Sequence, residues 1–177
     1  MTTSWQPNFD WIHTQLAVGG SFPGEQAPQL AAAHGIRNVI DLREEDSDDE
    51  ALLLANGIAL LHLPTPDMCG VAPEHLDHGV RFACDALDRG ERVLVHCEYG
   101  IGRSATLALC ILVRQGHAPL DALRTMKARR ALVSPSPVQF DCWHAWLERY
   151  RKATPVDWSP PHFDDFQLIA YRPATAD

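Results

Sequence analysis

The chain has 177 residues, of which 46 % are hydrophobic and 21 % are charged. This composition is typical of one soluble globular domain and argues against the disordered and fibrous classes. The formal net charge of −8 argues against nucleic acid or a membrane as a partner, because nucleic acids and anionic membranes require a basic surface. No apolar stretch is long enough to span a bilayer, and the first ten residues lack the pattern of a signal peptide. A cytoplasmic location is therefore expected.

In chain order, the hydrophobic pattern alternates between strand-like and helix-like segments. Four segments are predicted to be strands: 14–20, 36–42, 58–63 and 92–96. Six segments are predicted to be helices: 25–34, 51–56, 73–89, 104–115, 119–130 and 137–150. This order predicts an α/β fold, in which a single domain has a central, mainly parallel sheet flanked by helices.

Two polar segments stand outside this pattern. Residues 43–50 (REEDSDDE) are strongly acidic, and we interpret them as a solvated loop, with partner docking as the alternative. Residues 152–177 are rich in proline. We expect them to form an extension that packs on, or trails from, a catalytic domain of residues 1–151.

The cysteines give no sign of a disulfide framework or a zinc site, because they are odd in number and contain no C-x-x-C pair. They are Cys69, Cys84, Cys97, Cys110 and Cys142. His75 and His78 have a helical spacing that can bind metal, but no third ligand accompanies them. The sequence therefore predicts free thiols, no metal and no cofactor.

One cysteine lies where a buried strand runs into a helix, in RVLVHCEYGIGRSA (residues 92–105). Backbone amides at a helix N-terminus have no internal partner, and the helix dipole favours an anion there. Gly100 and Gly102 allow the loop to turn its amides inward. Such a cup lowers the pKa of a thiol at its base, so Cys97 is predicted to be a thiolate nucleophile. Arg103 can hold two phosphate oxygens with its planar fork, and Ser104 can donate a hydrogen bond to the sulfur.

Residues 96–104, HCEYGIGRS, resemble the H-C-x-x-G-x-x-R-[ST] signature of the cysteine-dependent protein tyrosine phosphatases. Residues 16–151 are similar to the compact dual-specificity branch, and their layout is similar to that of the cyclin-dependent-kinase-associated phosphatase. The resemblance implies a protein tyrosine phosphatase-like fold and a phosphomonoester hydrolase with a phosphocysteine intermediate. Its substrate would be a phosphorylated protein or a small phosphomonoester. The tyrosine-recognition loop of the larger members is not visible, which implies a shallower pocket that is open to more than phosphotyrosine.

The resemblance also implies roles for single residues. The substrate phosphate would be bound by the loop residues Glu98, Tyr99, Gly100, Ile101, Gly102 and Arg103. His96 would have a supporting role, shaping the loop and the Cys97 thiolate rather than shuttling protons. The family uses an aspartate on a mobile loop as general acid, about thirty residues before the nucleophile. Asp67 lies thirty residues before Cys97, and the leaving oxygen needs such a proton donor. Gln139 matches a glutamine that positions the attacking water; a solvent-exposed glutamine in a first helical turn is the alternative.

Glu98 follows the nucleophile directly, where relatives acting on inositol phosphates often carry a lysine. A carboxylate there would weaken the attraction for highly anionic substrates, so we expect a preference for monophosphoesters of modest charge. The alternative is that Glu98 points outward and pairs with a neighbouring cation.

The sequence leaves further possibilities open. The protein could be a catalytically silent phosphate-binding module, or, sharing the cysteine-to-arginine spacing, a rhodanese-type sulfur transferase or arsenate reductase. Arg130 could dock the substrate. Cys69, which is close to Asp67, could form a regulatory disulfide with Cys97.

Overall fold

The computed structural model describes residues 5–173. One sheet has the strand order β1-β2-β5-β3-β4. The strands are β1 (Phe9–His13), β2 (Leu16–Gly19), β3 (Ile36–Arg43), β4 (Ala59–Thr65) and β5 (Arg92–His96). Four of them run parallel, and β1 pairs antiparallel with β2 at one edge. The single α/β domain with a mainly parallel sheet is as the sequence predicts.

The central strand is β5, which pairs with β2 on one side and β3 on the other. Its residues 93–95 are completely buried, as expected for a β-branched run in a parallel sheet that is covered on both faces. In the register, His96 lies beside Gly19 of β2 and beside Asp41 of β3. The carboxyl ends of three strands therefore meet at one edge of the sheet.

The described residues contain seven helices, which lie on the two sides of the sheet. They are α1 (Ala27–Ala32), α2 (Glu50–Ala55), α3 (Pro73–Asp88), α4 (Arg103–Arg114), α5 (Pro119–Arg129), α6 (Pro137–Ala153) and α7 (Phe163–Ala170). Because strand side chains alternate, Val93 and Val95 pack into the core of α3–α7, whereas Leu94 packs with residues of α1 and α2. None of these helices is long and apolar enough to cross a membrane.

Two elements were not predicted from the sequence. Strand β1 buries only Ile12, so it lacks a clear alternation of buried and exposed residues. Helix α7 follows a proline-rich stretch and packs Phe166 against Phe140 and Trp143 of α6. The predicted helix at 25–34 is a 3-10 turn (Gly24–Gln26) followed by the short α1.

The predicted boundary at residue 151 falls inside α6, which continues to Ala153. Helix α7 lies on the rest of the domain, since its Phe166 and Ala170 belong to the main hydrophobic core. Residues 1–4 and 174–177, the ends of the two predicted segments, lie outside the described residues.

Candidate active site

The cysteine loop joins the end of β5 to the start of α4. The amide of Cys97 donates a hydrogen bond to the carbonyl of Gly19 (3.3 Å), which ties the start of the loop to the neighbouring strand. Helix α4 begins at Arg103, and all of its residues up to Val113 are buried. The loop is therefore held between a central strand and a helix that are both buried in the core.

The carbonyl groups of residues 97–102 all accept hydrogen bonds from donors that lie outside the centre of the loop. Their donors are His96 Nδ1 for Cys97 (3.1 Å), the amide of Ser21 for Glu98 (2.9 Å), Arg130 Nη2 for Tyr99 (3.0 Å), Arg130 Nε for Gly100 (2.9 Å), the amide of Ser134 for Ile101 (3.0 Å), and the amide of Thr106 for Gly102 (2.9 Å). In a trans peptide the N–H points opposite to the C=O. The amides that follow these carbonyls therefore point toward the centre of the loop, where they form a cup for an anion.

Gly100 is required for this shape. Its φ of +69° lies in the left-handed region, which residues with a side chain rarely adopt. A Cβ at this position would lie 2.4 Å from the backbone of Gly19 and 2.6 Å from Arg130. Both the conformation and the close approach therefore exclude a side chain.

Cys97 lies at the base of the cup and is 3 % exposed. Its sulfur is 3.3 Å from the hydroxyl of Ser104. Burial raises the pKa of the Cys97 thiol, but hydrogen bonds from the Ser104 hydroxyl and from the amides of Ser104 and Gly100, together with the charge of Arg103, lower the pKa below its ordinary value. The site therefore favours the thiolate.

Arg103 is oriented by Glu45 from the acidic segment. Arg103 Nη1 donates to Glu45 Oε2 (2.8 Å) and to the carbonyl of Thr65 (2.8 Å), and Nη2 donates to Glu45 Oε1 (2.7 Å). A guanidinium has five N–H groups, and these contacts use three. The Nε–H and the second Nη2–H share one edge, which matches two oxygens of a phosphate. Bonding to Arg103 lowers the pKa of Glu45 to about 2.

The same acidic segment also contacts the buried His96. Asp48 Oδ2 lies 2.6 Å from His96 Nε2, and Asp48 Oδ1 accepts from Arg43 Nη2 (3.0 Å). The interpretation of residues 43–50 as a solvated loop is therefore wrong for Arg43 and Asp48, whose side chains are buried, and the partly exposed Glu45 is bonded to Arg103. The segment directly follows β3, so it lies at the edge of the sheet where the cysteine loop begins, and its carboxylates find cations there.

Arg43 completes a buried cluster of charges. Its Nε and Nη2 both donate to Asp41 (3.0 Å each), and this hydrogen bonding keeps the pKa of Asp41 low although burial raises it. Ligand atoms of Asp41, Asp48 and His96 lie within 4.8 Å of one another, a grouping that can hold a metal ion. The Arg43 guanidinium donates to both carboxylates, so a cation already lies at this cluster and supplies one of the two positive charges that would balance it.

Asp67 lies beside the cup, as its predicted role requires. Its Oδ1 is 3.4 Å from Arg103 Nη2 and accepts a hydrogen bond from the amide of Met68 (2.9 Å). The Asp67 side chain is 61 % exposed. Met68 has a φ of +62°, an uncommon conformation for a residue with a side chain, so the loop holds Asp67 in a tight turn.

Gln139 is buried rather than exposed, which excludes the alternative of a solvated first-turn residue. It is 3 % exposed and forms a capping box with Ser136 at the start of α6. Its Nε2 donates to the carbonyl of Cys69 (3.3 Å), and its side chain fills the space in front of Gly102. Gln139 therefore connects the Asp67 loop with the cysteine loop.

The Glu98 carboxylate pairs with Arg43 Nη1 (3.4 Å) and accepts from the Ser21 hydroxyl (3.2 Å). This arrangement agrees with the alternative, in which Glu98 pairs with a neighbouring cation.

Arg130 is 2 % exposed, and besides the loop carbonyls it binds Asp10 and Asn8 (2.9 and 3.0 Å). The predicted docking of the substrate by Arg130 is therefore wrong. Arg130 instead stabilises the cysteine loop through its hydrogen bonds to the loop carbonyls.

The cup opens into a cavity of about 290 Å³. Its lining residues are Asp67, Met68, Cys97, Tyr99, Ile101, Gly102, Arg103, Ser134, Ser136 and Gln139. The structure thus brings together most of the predicted site residues; Glu98, His96, Gly100 and Ser104 lie behind or beside the lining. The sequence did not point to Glu45, Asp48 or Thr65, and it suggested the wrong role for Arg130. The position of residues 44–49 directly after β3 is the signal that could have found Glu45 and Asp48.

Comparisons with known proteins agree with this geometry. The family model described as "Polymorphic toxin system, DSP-PTPase phosphatase" matches residues 18–117. Phosphatidylglycerophosphatase and protein-tyrosine phosphatase 1 from Homo sapiens is 32 % identical over 146 residues, which cover 75 % of this chain and 71 % of that protein. Dual specificity protein phosphatase 1 from Mus musculus is 41 % identical over 61 residues, 34 % of this chain and 17 % of that protein.

Solved structures have the same fold. The crystal structure of PTPMT1 in complex with PI(5)P matches with a TM-score of 0.76 and 23 % identity, covering 82 % of this chain and 99 % of that one. Human DUSP28 matches with a TM-score of 0.72 and 22 % identity, covering 83 % and 97 %. Fold and site define a cysteine-dependent phosphatase. The chain belongs to the DSP-PTPase phosphatase family, and it is a protein-tyrosine/dual-specificity phosphatase, which confirms the prediction made from residues 96–104.

Proposed function

We propose that the protein hydrolyses phosphomonoesters through a phosphocysteine intermediate on Cys97. The observation that carries this proposal is the position of the Cys97 sulfur at the base of a cup of inward-pointing amides, 3.3 Å from the Ser104 hydroxyl. Amides that point at the place where negative charge develops stabilise the transition state without reorganisation.

In the first step the Cys97 thiolate attacks phosphorus, and the bond between phosphorus and the leaving oxygen breaks. Arg103 and the amides bind the non-bridging phosphate oxygens, and Asp67 gives its proton to the leaving oxygen. In the second step water attacks phosphorus and passes a proton to Asp67. The bond between sulfur and phosphorus breaks, and the Ser104 hydroxyl stabilises the departing thiolate. Gln139, which lines the same cavity, is placed to align that water.

We infer that the substrate is a phosphotyrosine residue of a protein. The mouth of the cavity carries exposed apolar side chains, with Met68 69 %, Tyr99 64 % and Ile101 37 % exposed, and aromatic groups pack well on such surfaces. Arg103 is the single cation among the lining residues of the described chain, so the cavity offers strong binding to one phosphate group.

A phospholipid or inositol phosphate is the second candidate substrate. One relative is named as a phosphatidylglycerophosphatase, and one structural neighbour was solved with PI(5)P. The acidic segment beside the cup and the net charge of −8 disfavour an anionic lipid surface or a polyphosphate. These features support the peptide substrate over the lipid.

The test compares kcat/KM for a phosphotyrosine peptide, for PI(5)P in vesicles and for an inositol polyphosphate. We expect the peptide to exceed both others by about tenfold or more, because only one cation faces the substrate. A higher value for PI(5)P would overturn the substrate assignment but would leave the phosphatase reaction in place. Because Glu98 is paired with Arg43, Glu98→Gln should leave the order of the three substrates unchanged; a changed order would restore the role expected for Glu98 from the sequence.

A further inference from the structure

His96 lies completely buried between the cysteine loop and the acidic segment. Its Nδ1 is 3.1 Å from the carbonyl oxygen of Cys97, and its Nε2 is 2.6 Å from Asp48 Oδ2. The His96–Asp48 contact is therefore one of the shortest side-chain contacts in the site, and it joins residues that are far apart in the chain.

Both partners of the ring are hydrogen-bond acceptors. The carbonyl of Cys97 cannot donate, so Nδ1 must carry a proton. The Asp48 carboxylate also accepts from Arg43 Nη2 (3.0 Å), and its side chain is 4 % exposed, so it faces the ring as a second acceptor. Nε2 must then carry a proton as well, and a ring that donates from both nitrogens is an imidazolium.

The charges around the ring balance only in this state. Two buried carboxylates face His96, namely Asp48 and Asp41 (3.9 Å from Nε2). Arg43 supplies one positive charge to the pair, and a neutral His96 would leave one buried negative charge uncompensated, which is costly. The remaining neighbour on the ring face is Phe22, with 5.1 Å between ring centroids, and it carries no charge. Burial disfavours the imidazolium, but the hydrogen bond and the charge of Asp48 raise the pKa of His96.

We propose that Asp48 is a positioning residue, which holds His96 as a buried imidazolium directly behind Cys97. The cation favours the Cys97 thiolate, and its Nδ1–H turns the Cys97 carbonyl outward so that the next amide points into the cup. This inference rests on Cys97 being the nucleophile of the proposed function. It assigns to the acidic segment a second task besides the orientation of Arg103.

The protonation of His96 is measurable in the unaltered protein. In protein labelled with ¹⁵N in histidine, the proposal requires that both ring nitrogens of His96 carry a proton at about pH 7, above the ordinary pKa of histidine. The ring would show two N–H signals, protected from exchange by burial. A ring with one unprotonated nitrogen at that pH would overturn the proposal.

The role of Asp48 is tested by Asp48→Asn, with alkylation of Cys97 by iodoacetamide as the readout, since only the thiolate reacts. We expect alkylation to be about tenfold slower than in the wild type at about pH 6 and equal at about pH 9. The matched control is Asp46→Asn, because Asp46 lies in the same segment and also pairs with Arg43, yet its side chain is 67 % exposed. The control should follow the wild-type profile.

If Asp48 acts through His96, Asp48→Asn should slow alkylation no further in a His96→Gln background. Equal slowing at all pH values would indicate a merely structural role and would overturn the proposal. The proposal would also be overturned if wild-type Cys97 reacts at about pH 6 and the pH profile of alkylation is the same in Asp48→Asn. That result would leave the proposed function intact. A wild-type Cys97 that reacts only at about pH 9 or above would contradict the proposed function itself.

Discussion

Glu45 and Arg103 face each other with two hydrogen bonds of similar length, 2.7 and 2.8 Å. The Arg103 side chain is 2 % exposed, whereas that of Glu45 is 41 % exposed. The carboxylate therefore reaches in from the surface and fixes the plane of a buried guanidinium. Because Thr65 takes a third N–H group, the edge left for phosphate is set before any substrate binds.

The first prediction concerns Glu45→Gln. An amide presents an NH₂ group to one of the Arg103 nitrogens, so the fixed orientation is lost and phosphate binding weakens. We expect kcat/KM to fall about tenfold, with a similar rise in the inhibition constant of inorganic phosphate. Glu44→Gln, an exposed neighbour in the same segment, is the control. Equal kcat/KM values for the two variants would rule out the orienting role of Glu45.

This ion pair should also survive acid. The pKa of Glu45 is lowered to about 2, so its contribution is present above the ordinary pKa of a glutamate and is lost only as the pH falls through about 2. A pH titration of the Glu45 carboxyl carbon by NMR would check this. A midpoint near the ordinary glutamate value would show that the pair does not form in solution.

The second prediction is selective alkylation among the four thiols that are buried or partly buried. Hydrogen bonds and the charge of Arg103 lower the pKa of Cys97, whereas burial raises the pKa of Cys84 to about 11 and raises the pKa values of Cys110 and Cys142. Thiolate content at neutral pH is therefore highest at Cys97. Brief treatment with iodoacetamide and peptide mapping should show modification of Cys97 before the other three. Modification of Cys84 first would contradict this order.

The third prediction concerns Asp67→Asn. Without a proton donor beside the cup, kcat should fall about 100-fold for alkyl phosphates, whose leaving oxygen needs a proton, and less for p-nitrophenyl phosphate. The limb of the pH–rate profile that reports the general acid should disappear. Asp85→Asn, on the exposed face of α3, should behave as the wild type. Full activity of Asp67→Asn on an alkyl phosphate would mean that another group donates the proton.

The fourth prediction separates backbone conformation from close packing. Gly100 and Gly90 have similar φ values, +69° and +77°, but a Cβ at Gly90 would meet no atom within 4 Å. Gly90→Ala should lower the free energy of unfolding by about 1 kcal/mol and leave activity unchanged. Gly100→Ala also forces the cysteine loop away from Gly19, so it should destabilise more and abolish activity. Urea unfolding and kcat/KM test both; an active Gly100→Ala variant would contradict the assigned loop geometry.

The nucleophile could be predicted from the sequence because the groups that favour the Cys97 thiolate lie close to Cys97 along the chain. Cys97, Arg103 and Ser104 follow a buried strand and begin a helix, so a short stretch of chain contains the anion cup and its thiolate. Asp67 could be placed through the family resemblance, which implies a general acid about thirty residues before the nucleophile. The spans of α3, α5 and α6 also follow from the chain itself, since each begins at a proline (Pro73, Pro119 and Pro137) in its first turn.

The remaining site residues could not be predicted, because their partners are distant in sequence. In the sequence, Glu45 and Asp48 are only part of an acidic run. The pairing of β3 with β5 in the structure places Glu45 beside Arg103 and Asp48 beside His96. Gln139 looks like an exposed first-turn residue until the Asp67 loop covers it. The expected cytoplasmic location and the possible disulfide between Cys69 and Cys97 stay predictions.

The most direct test of the phosphatase mechanism is detection of phosphorylated Cys97 during turnover. The reaction with a phosphotyrosine peptide is quenched in acid, and the protein is digested and mapped by mass spectrometry. We expect phosphate on Cys97 alone, and we expect Cys97→Ser to carry none and to have no turnover while still binding inorganic phosphate. Phosphate on another residue, or substantial turnover by Cys97→Ser, would contradict the phosphocysteine mechanism.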